Sequence, residues 1–350
     1  MAMKFTTPVS AERLSTELAL TDRIMVLGSC FADNIGQRMS DSGFNVCVNP
    51  FGTLYNPASI ASSIDRLTSG APFTTGDCVE MGAGAGKICS FEHHTSFAKA
   101  DAEEFLKVAN SSLREASSFW KSCNKVLITF GTAMVWRHDG RVVSNCLKRP
   151  AGEFTHDMLS LEEIALCIER ITAAASQGKK FIFTVSPIRH PGDGVRGNTL
   201  SKASLHLALG RTGFDYFPAY EIMMDELRDY RFYAEDLLHP SRQAVEYIYE
   251  RFRDAAFRKC DLEQIASNEK RAIAARHRCH HSAPSSRAQG MPESASPFPR
   301  FPRFPHKPHK PQIPQSLQYD DWKKRVNRDF TPDELIRDIM ARAAAEEEGA

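Results

Sequence analysis

The sequence lacks the charge excess that marks proteins binding polyanions. Forty-four basic residues stand against forty-three acidic ones, which leaves a formal net charge of +1 over 350 residues. Domains that bind nucleic acid or anionic membrane surfaces generally carry a strong basic excess. The near-neutral balance therefore argues against both of these partners and favours a small-molecule substrate.

Long apolar runs are also missing. No stretch approaches the roughly 18 consecutive apolar residues of a membrane-spanning helix. The first 20 residues include Lys4, Glu12, Arg13 and Glu17 and contain no apolar run of signal-peptide length. We therefore expect a cytoplasmic protein with no membrane partner.

Cysteine is present, but not at the spacing of a framework. The nine cysteines are an odd number, and they lie singly within apolar patterns, as Cys47 and Cys167 do. Such scatter is typical of reduced thiols and not of disulfide frameworks. A group of metal-ligand residue types within residues 277–281 has no second ligand pair at zinc-finger spacing. We expect no metal and no cofactor.

Apolar periodicity alternates between strand and helix along the first three quarters of the chain. Short β-branched or aromatic runs predict strands at residues 24–27, 44–48, 126–130 and 181–185. Helical spacing predicts helices from residue 31 and at residues 100–118, 161–176, 216–230 and 240–257. This alternation is typical of βαβ units, so we predict an α/β fold with a mostly parallel sheet.

The composition changes near residue 258, so we predict a folded domain over residues 1–257. Residues 258–331 include the repeat-like FPRFPRFPHKPHKP and are predicted to form a disordered or polyproline-like linker. A terminal helix is predicted over residues 332–350. The Pro-, Phe- and Lys-rich repeat could instead dock a protein partner.

The pentapeptide GSCFA, at residues 28–32, stands where the first predicted strand gives way to its helix. There Ser29 would lie beside unpaired N–H groups at the positive end of the helix dipole, which stabilise an attacking oxygen or an oxyanion. Gly28 permits the tight turn that exposes the hydroxyl. A plain helix cap is the alternative interpretation.

A second motif, DLLHP at residues 236–240, precedes the last helix of the predicted domain. The carboxylate of Asp236 can turn back to accept from one ring nitrogen of His239, which leaves the other nitrogen to take a proton from a serine. A surface carboxylate beside a helix-entry histidine is the alternative. The two motifs together predict a catalytic triad of Ser29, His239 and Asp236.

The order of these motifs resembles that of the SGNH (GDSL-type) hydrolases, in which a Gly-x-Ser turn follows the first strand and an Asp-x-x-His block completes the site. More closely, the chain resembles the GSCFA family, a related bacterial group named for this pentapeptide. The resemblance covers about residues 3–257 and implies a three-layer α/β/α domain. It includes FNVCVNPFGTLYNP at residues 44–57, ITFGTAMVW at 128–136, FTVSPIRH at 183–190 and YFPAYEIMMDELRDYRFYAEDLLHPS at 216–241.

The resemblance also implies an oxyanion hole. The N–H groups of Ser29 and Gly52 match those that hold the oxyanion in SGNH enzymes. The third block departs from the pattern, because Gly131-Thr132-Ala133 stands where those enzymes have Gly-x-Asn. We expect Thr132 or Asn145 to supply the missing donor, although both residue types have ordinary structural uses.

His190 and Arg189 follow the fourth predicted strand, at the edge where ligands bind in open α/β sheets. We expect both to contact substrate, with a loop histidine held by the backbone and a solvated arginine as alternatives.

These residues predict a serine hydrolase acting on a small-molecule or carbohydrate ester. Transfer of the acyl group to a hydroxyl instead of water would make the protein an acyltransferase. A non-catalytic protein that retains the fold and binds a ligand in the same cleft is the rival, and the missing Gly-x-Asn block favours it.

Overall fold

The computed structural model describes residues 6–82 and 84–281, and for residues 277–281 it describes the backbone alone. Within this part of the chain, a five-stranded central sheet is accompanied by a three-stranded and a two-stranded sheet. The strands are β1 (Arg23–Gly28), β2 (Asn45–Val48), β3 (Val79–Glu80), β4 (Ile88–Cys89), β5 (Lys125–Phe130), β6 (Met134–His138), β7 (Arg141–Val143), β8 (Phe154–Met158), β9 (Lys180–Val185) and β10 (Asp215–Tyr216).

Five helices of the described residues, those that begin after Ser29, Asn56, Asp101, Ser160 and Ser241, start at polar side-chain caps. Asp101 and Ser241, for example, each accept from the backbone N–H three residues further on, at 2.8 and 3.2 Å. Such caps satisfy N–H groups that have no partner within the helix. The helices are α1 (Cys30–Asp41), α2 (Pro57–Ser69), α3 (Ala102–Ser122), α4 (Leu161–Thr172), α5 (Gly194–Gly210), α6 (Ala219–Glu221), α7 (Arg242–Ala256) and α8 (Leu262–His281).

The central sheet is entirely parallel and has the strand order β2–β1–β5–β9–β10. Its inner strands β1, β5 and β9 are buried almost throughout. Parallel strands covered on both faces form near-continuous apolar runs. That pattern allowed the strands to be predicted from the sequence, and the α/β fold with a mostly parallel sheet is confirmed.

Alternate residues of β1 contribute to two different cores. Met25 and Leu27 pack in a core with α2, α3, α4 and α5, whereas Ile24 and Val26 pack in another with α1, α7 and α8. Because successive side chains of a strand point to opposite faces, the sheet lies between two helical layers. This is the expected three-layer α/β/α arrangement.

Several elements were not predicted from the apolar periodicity. Strands β6, β7 and β8 form an antiparallel sheet that begins four residues after β5. Residues 216–230, predicted as one helix, contain the short α6 and a π-helical turn at Ile222–Glu226. The turn brings Glu226 inward to an ion pair with Arg251 at 2.6 Å, and this long-range contact overrides continued helical spacing.

Helix α8 extends the packed region beyond residue 257. Ile265 is buried in the core shared with α1, and Asn268 Nδ2 donates to the Ser42 carbonyl at 2.9 Å. Residues 262–281 are thus helical, although they fall in the segment predicted as a linker. Residues 282–331 of that linker and the predicted terminal helix lie outside the described residues.

Candidate active site

The turn between β1 and α1 holds Ser29 against the neighbouring strand. Gly28 has a φ of +143°, and a Cβ atom placed there would lie 2.2 Å from the Thr129 carbonyl oxygen. Only glycine allows this close approach of β1 to β5. Ser29 donates its N–H to the same carbonyl at 3.3 Å, and its Oγ accepts from the Phe31 N–H at 3.3 Å as the N-cap of α1.

Ser29 lies where the strand order of the sheet reverses. β2 pairs with one side of β1, and β5 pairs with the other. In open parallel sheets, the crevice outside the carboxyl ends of the strands at such a point is where ligands bind. The N-terminus of α1 adds N–H groups and the positive end of a helix dipole to this edge of the sheet. The location therefore suits a group that develops negative charge.

Asn49, which follows β2, connects the Ser29 turn to α1. Its Oδ1 accepts from the Gly28 N–H at 2.8 Å, and its Nδ2 donates to Asp33 Oδ1 at 2.6 Å. Its φ of +42° is left-handed, which asparagine tolerates better than most residues. Burial raises the pKa of Asp33, and the hydrogen bond from Asn49 opposes that rise. The sequence patterns assigned no role to Asn49, because an asparagine at a strand end is an ordinary turn residue.

The N–H of Gly52, expected to help hold the oxyanion, donates to the Asn49 carbonyl at 2.8 Å. Gly52 has a φ of +79°, and a Cβ atom there would lie 2.3 Å from the Cβ of His94. His94 also lies close enough to Asp33 for each to perturb the pKa of the other. The loop after β2 is therefore packed between the N-terminal turn of α1 and His94.

The other two expected donors are also bonded within the fold. Thr132 donates its N–H to the Tyr55 carbonyl at 3.0 Å, and its Oγ1 bonds Ser201 Oγ at 2.9 Å. Asn145, which follows β7, accepts from the Leu147 N–H through Oδ1 at 2.8 Å. An oxyanion would have to displace the bond of the Thr132 or the Gly52 N–H to gain either donor, whereas the bond of Asn145 involves its amide oxygen and not the Nδ2 group that would donate.

The Asp236 carboxylate turns back onto His239. Its Oδ2 lies 2.6 Å from His239 Nδ1, and its Oδ1 accepts from the backbone N–H groups of Leu238 and His239 at 2.9 Å each. Burial raises the pKa of Asp236, but these hydrogen bonds outweigh it and hold the pKa below its ordinary value. An ionised carboxylate at Nδ1 favours the tautomer with its proton on Nδ1, which leaves Nε2 to accept one.

Helices α1 and α7 run parallel, which brings the two motifs to the same end of the fold. Arg38 pairs with Glu246 at 2.8 Å, and one turn further along both helices Ser42 Oγ lies 2.8 Å from the Tyr249 hydroxyl. Ser29 begins α1, and the Asp236–His239 turn lies just before α7. Both motifs therefore lie at the carboxyl edge of the sheet.

A backbone contact joins the Asp236–His239 turn to the loop after β9. The Arg189 N–H donates to the Leu238 carbonyl at 3.4 Å. Arg189 itself is exposed. Burial, together with the charges of Lys202 and His239, lowers the pKa of His190 to about 3. His190 is therefore a neutral histidine within electrostatic reach of His239, and a direct contact of either loop residue with substrate remains a prediction.

His190 Nε2 is buried and has no hydrogen-bond partner among the described residues. Its ring meets the Tyr55 ring edge to face, with centroids 6.1 Å apart. A buried ring nitrogen without a partner is costly unless another group satisfies it. A substrate hydroxyl or carbonyl in the crevice is one group that could do so.

Fold and site together define a parallel α/β protein with a serine turn at its strand-order reversal and an Asp–His pair at the same edge. The family model of the GSCFA family matches residues 23–252, a range that includes both motifs and the whole central sheet. The chain therefore belongs to the GSCFA family. A comparison with curated proteins finds no match. Among the described residues, no helix has the length and apolar character of a membrane span.

Proposed function

We propose that this GSCFA-family protein is a serine hydrolase of SGNH type that cleaves a small-molecule or carbohydrate ester. The observation that carries the proposal is the 2.6 Å contact between Asp236 Oδ2 and His239 Nδ1, at the sheet edge where α1 begins with Ser29. Carboxylate, imidazole and hydroxyl are the three groups of a serine-hydrolase triad, which is recognised by geometry and roles and not by sequence position.

In the proposed reaction, Ser29 Oγ attacks the carbonyl carbon of the ester while His239 Nε2 takes the hydroxyl proton. The carboxylate of Asp236 stabilises the imidazolium. The tetrahedral intermediate then collapses, the bond to the leaving oxygen breaks, and that oxygen leaves as an alcohol with the proton from His239. An acyl group remains on Ser29.

Water completes the cycle by the reverse route. His239 takes a proton from water as the water oxygen attacks the acyl carbon, and collapse returns that proton to Ser29 and releases a carboxylic acid. If an alcohol such as a sugar hydroxyl takes the place of water, the product is a new ester and the protein is an acyltransferase. The same three residues serve both reactions.

One observation favours the rival of a non-catalytic binding protein. Ser29 has no solvent-exposed surface, and the N–H groups of Ser29, Gly52 and Thr132 are bonded to carbonyls. A substrate would have to open this turn before the reaction. If the turn does not open, the crevice can hold a ligand without transforming it.

Labelling with a fluorophosphonate probe tests the nucleophile. Ser29 Oγ should form a bond to phosphorus and release fluoride, so the wild-type protein should be labelled and Ser29→Ala should not. Ser160→Ala is the matched control, because Ser160 caps α4 as Ser29 caps α1. Equal labelling of wild type and Ser29→Ala, with mass spectrometry locating the adduct elsewhere, would contradict the proposal.

A panel of short acyl esters separates the enzyme from the binder. Wild type should release acid from at least one ester, and His239→Ala should not. Adding sugar alcohols and assaying for a new ester separates transfer from hydrolysis. If neither protein turns over any ester and the probe leaves Ser29 unlabelled, the binding protein is the better conclusion.

A further inference from the structure

Lys202, on α5, is a buried lysine at the same edge of the sheet. Only 2% of its surface is exposed, and its ammonium group donates to the carbonyls of Gly131 and Ser186 at 2.6 and 2.7 Å. Its Nζ also lies 5.7 Å from the centroid of the Tyr220 ring. Lysine is almost never buried so completely unless it is paired, because its charge is costly to remove from water.

The two carbonyls belong to the ends of neighbouring strands. Gly131 directly follows β5, and Ser186 directly follows β9. Lys202 thereby ties together the starts of the two loops that lead to Thr132 and to His190. Both loops carry residues of the candidate site. The two hydrogen bonds of Lys202 hold the ends of β5 and β9, from which these loops extend.

The charge of Lys202 also shifts the pKa values of two groups at the candidate site. It lowers the pKa of His190 and opposes the raised pKa of Cys30, the residue after Ser29. The titratable groups that face Lys202 are Cys30 from α1, His190 from the loop after β9, His206 from its own helix and Tyr220 from α6. None of these groups is an anion at neutral pH, so none neutralises the ammonium charge.

We propose that Lys202 is a positioning residue of this site, which ties the ends of β5 and β9 and supplies the positive charge that favours an oxyanion at Ser29. It would thereby compensate for the amide that the Gly131-Thr132-Ala133 block lacks. The inference rests on the proposed function, since a binding protein would have no oxyanion to stabilise. No substrate contact is assigned to Lys202, because its bonds go to backbone carbonyls.

The reactivity of Ser29 should depend on the protonation of Lys202. Burial lowers the pKa of Lys202 to about 7, so its ammonium form gives way to a neutral amine as the pH rises through neutrality. Reactivity of Ser29 should therefore fall on the alkaline side of neutrality as Lys202 loses its proton.

The chain offers a matched control in Lys179. It is also buried, and its ammonium group donates to the carbonyls of Trp120 and Cys123, both at 2.7 Å. Its Nζ lies 5.0 Å from the centroid of the Trp120 ring. Lys179 thus also donates to two backbone carbonyls, but it directly precedes β9, and both carbonyls come from the end of α3 ahead of β5. A structural effect of losing a buried lysine should be common to both positions.

The test measures the rate of fluorophosphonate labelling of Ser29 between about pH 5 and pH 9. Lys202→Gln retains an N–H₂ donor without charge, and Lys202→Met removes both. We expect both variants to react up to about 100-fold more slowly than wild type near pH 6, because they lack the positive charge that favours the oxyanion. The difference should shrink above about pH 8, where wild-type Lys202 is itself neutral.

Lys202→Arg keeps the charge at all pH values and should lose the alkaline fall in rate. Lys179→Met should lower the unfolding temperature as Lys202→Met does, while keeping the wild-type rate and pH profile. A wild-type rate and profile in Lys202→Gln would overturn the inference and leave the hydrolase intact. If the Lys202 variants do not fold, a wild-type rate that does not fall above neutral pH would overturn it. No labelling of Ser29 at any pH would overturn both proposals.

Discussion

The amino and carboxyl ends of the central sheet are secured by two similar arrangements. Lys179, which directly precedes β9, bonds two carbonyls at the end of α3, ahead of β5, whereas Lys202 bonds one carbonyl after β5 and one after β9. Asn124 accepts from the Arg23 N–H at the start of β1 and donates to Asp22. Asn49 repeats this bridge with Gly28 and Asp33 at the end of β1.

The two ends of the sheet differ in their candidate catalytic residues and not in the contacts that hold the strands together. Buried lysines bonded to backbone carbonyls and bridging asparagines occur at both ends, so holding the sheet together is a role common to both ends. Only the carboxyl end adds Ser29, the Asp236–His239 pair and His190. Helices begin at this end, and their N-termini supply N–H groups and positive partial charge. Similar lysine and asparagine contacts therefore accompany the candidate catalytic residues at the carboxyl end and no such residues at the amino end.

Removing His239, the proposed base, should abolish most of the reactivity of Ser29 at the carboxyl end of the sheet. We expect His239→Ala to slow Ser29 labelling about 10³- to 10⁴-fold, the range for loss of a general base in a triad. The unfolding temperature should barely change, because the His239 side chain is 38% exposed. The measurement is the labelling rate beside a thermal melt.

His138→Ala is the control for that variant, because His138 also lies beside a carboxylate, with Nδ1 3.4 Å from Asp139 Oδ2, at the end of β6. It should keep the wild-type rate. A His239→Ala protein that reacts as fast as wild type would exclude His239 as the base.

The close approach of β1 and β5 at the carboxyl end should not tolerate a side chain. Gly28→Ala would bring Cβ to 2.2 Å from the Thr129 carbonyl, so we expect a loss of about 3 kcal/mol or more in the free energy of unfolding. Gly140→Ala is the control, since Gly140 has a φ of +74° with nothing within 4 Å of its Cβ position. That change should cost about 1 kcal/mol from the backbone alone. The measurement is urea unfolding of both variants. Equal losses of unfolding free energy would mean that β1 and β5 move apart easily at Gly28.

The asparagine bridges allow the smallest and most direct comparison of the two ends. Asn49→Ala leaves the buried Gly28 N–H without its partner, and we expect a loss of about 2 kcal/mol in unfolding free energy and slower labelling of Ser29. Asn124→Ala breaks the equivalent bridge at a more exposed position, so its loss should be below about 1 kcal/mol. It should leave labelling unchanged. Slower labelling in Asn124→Ala would show that reactivity follows general stability and not the local turn.

The strands and the two motifs could be predicted because their signals are local. The buried strands are uninterrupted apolar runs, and the Asp236–His239 contact closes over three residues. Helix α5 and the sheet β6–β7–β8 were not predicted. The sheet's strands are short and mix apolar with charged residues, such as Trp136 beside Arg137, so they carry no clear period of two.

The residues that hold the site in place, Lys202 and Asn49, could not be identified from local sequence patterns. Lys202 lies in the middle of a helix, where a lysine ordinarily indicates a solvated face, and Asn49 is an unremarkable strand-end residue. Their partners lie 16 to 71 residues away in the chain. Nothing in the spacing of residues indicates which distant carbonyl or carboxylate will be near.

The sequence alone determined the layered α/β class, the family, and the two motifs from which the catalytic proposal follows, because apolar periodicity and short-range hydrogen bonding are encoded within a few residues. It is the tertiary structure that encloses Ser29, bonds the N–H groups of Ser29, Gly52 and Thr132 to carbonyls, and buries the ammonium group of Lys202 at the same edge of the sheet. Those properties depend on which distant segments pack together, since burial and charge act through space and not along the chain.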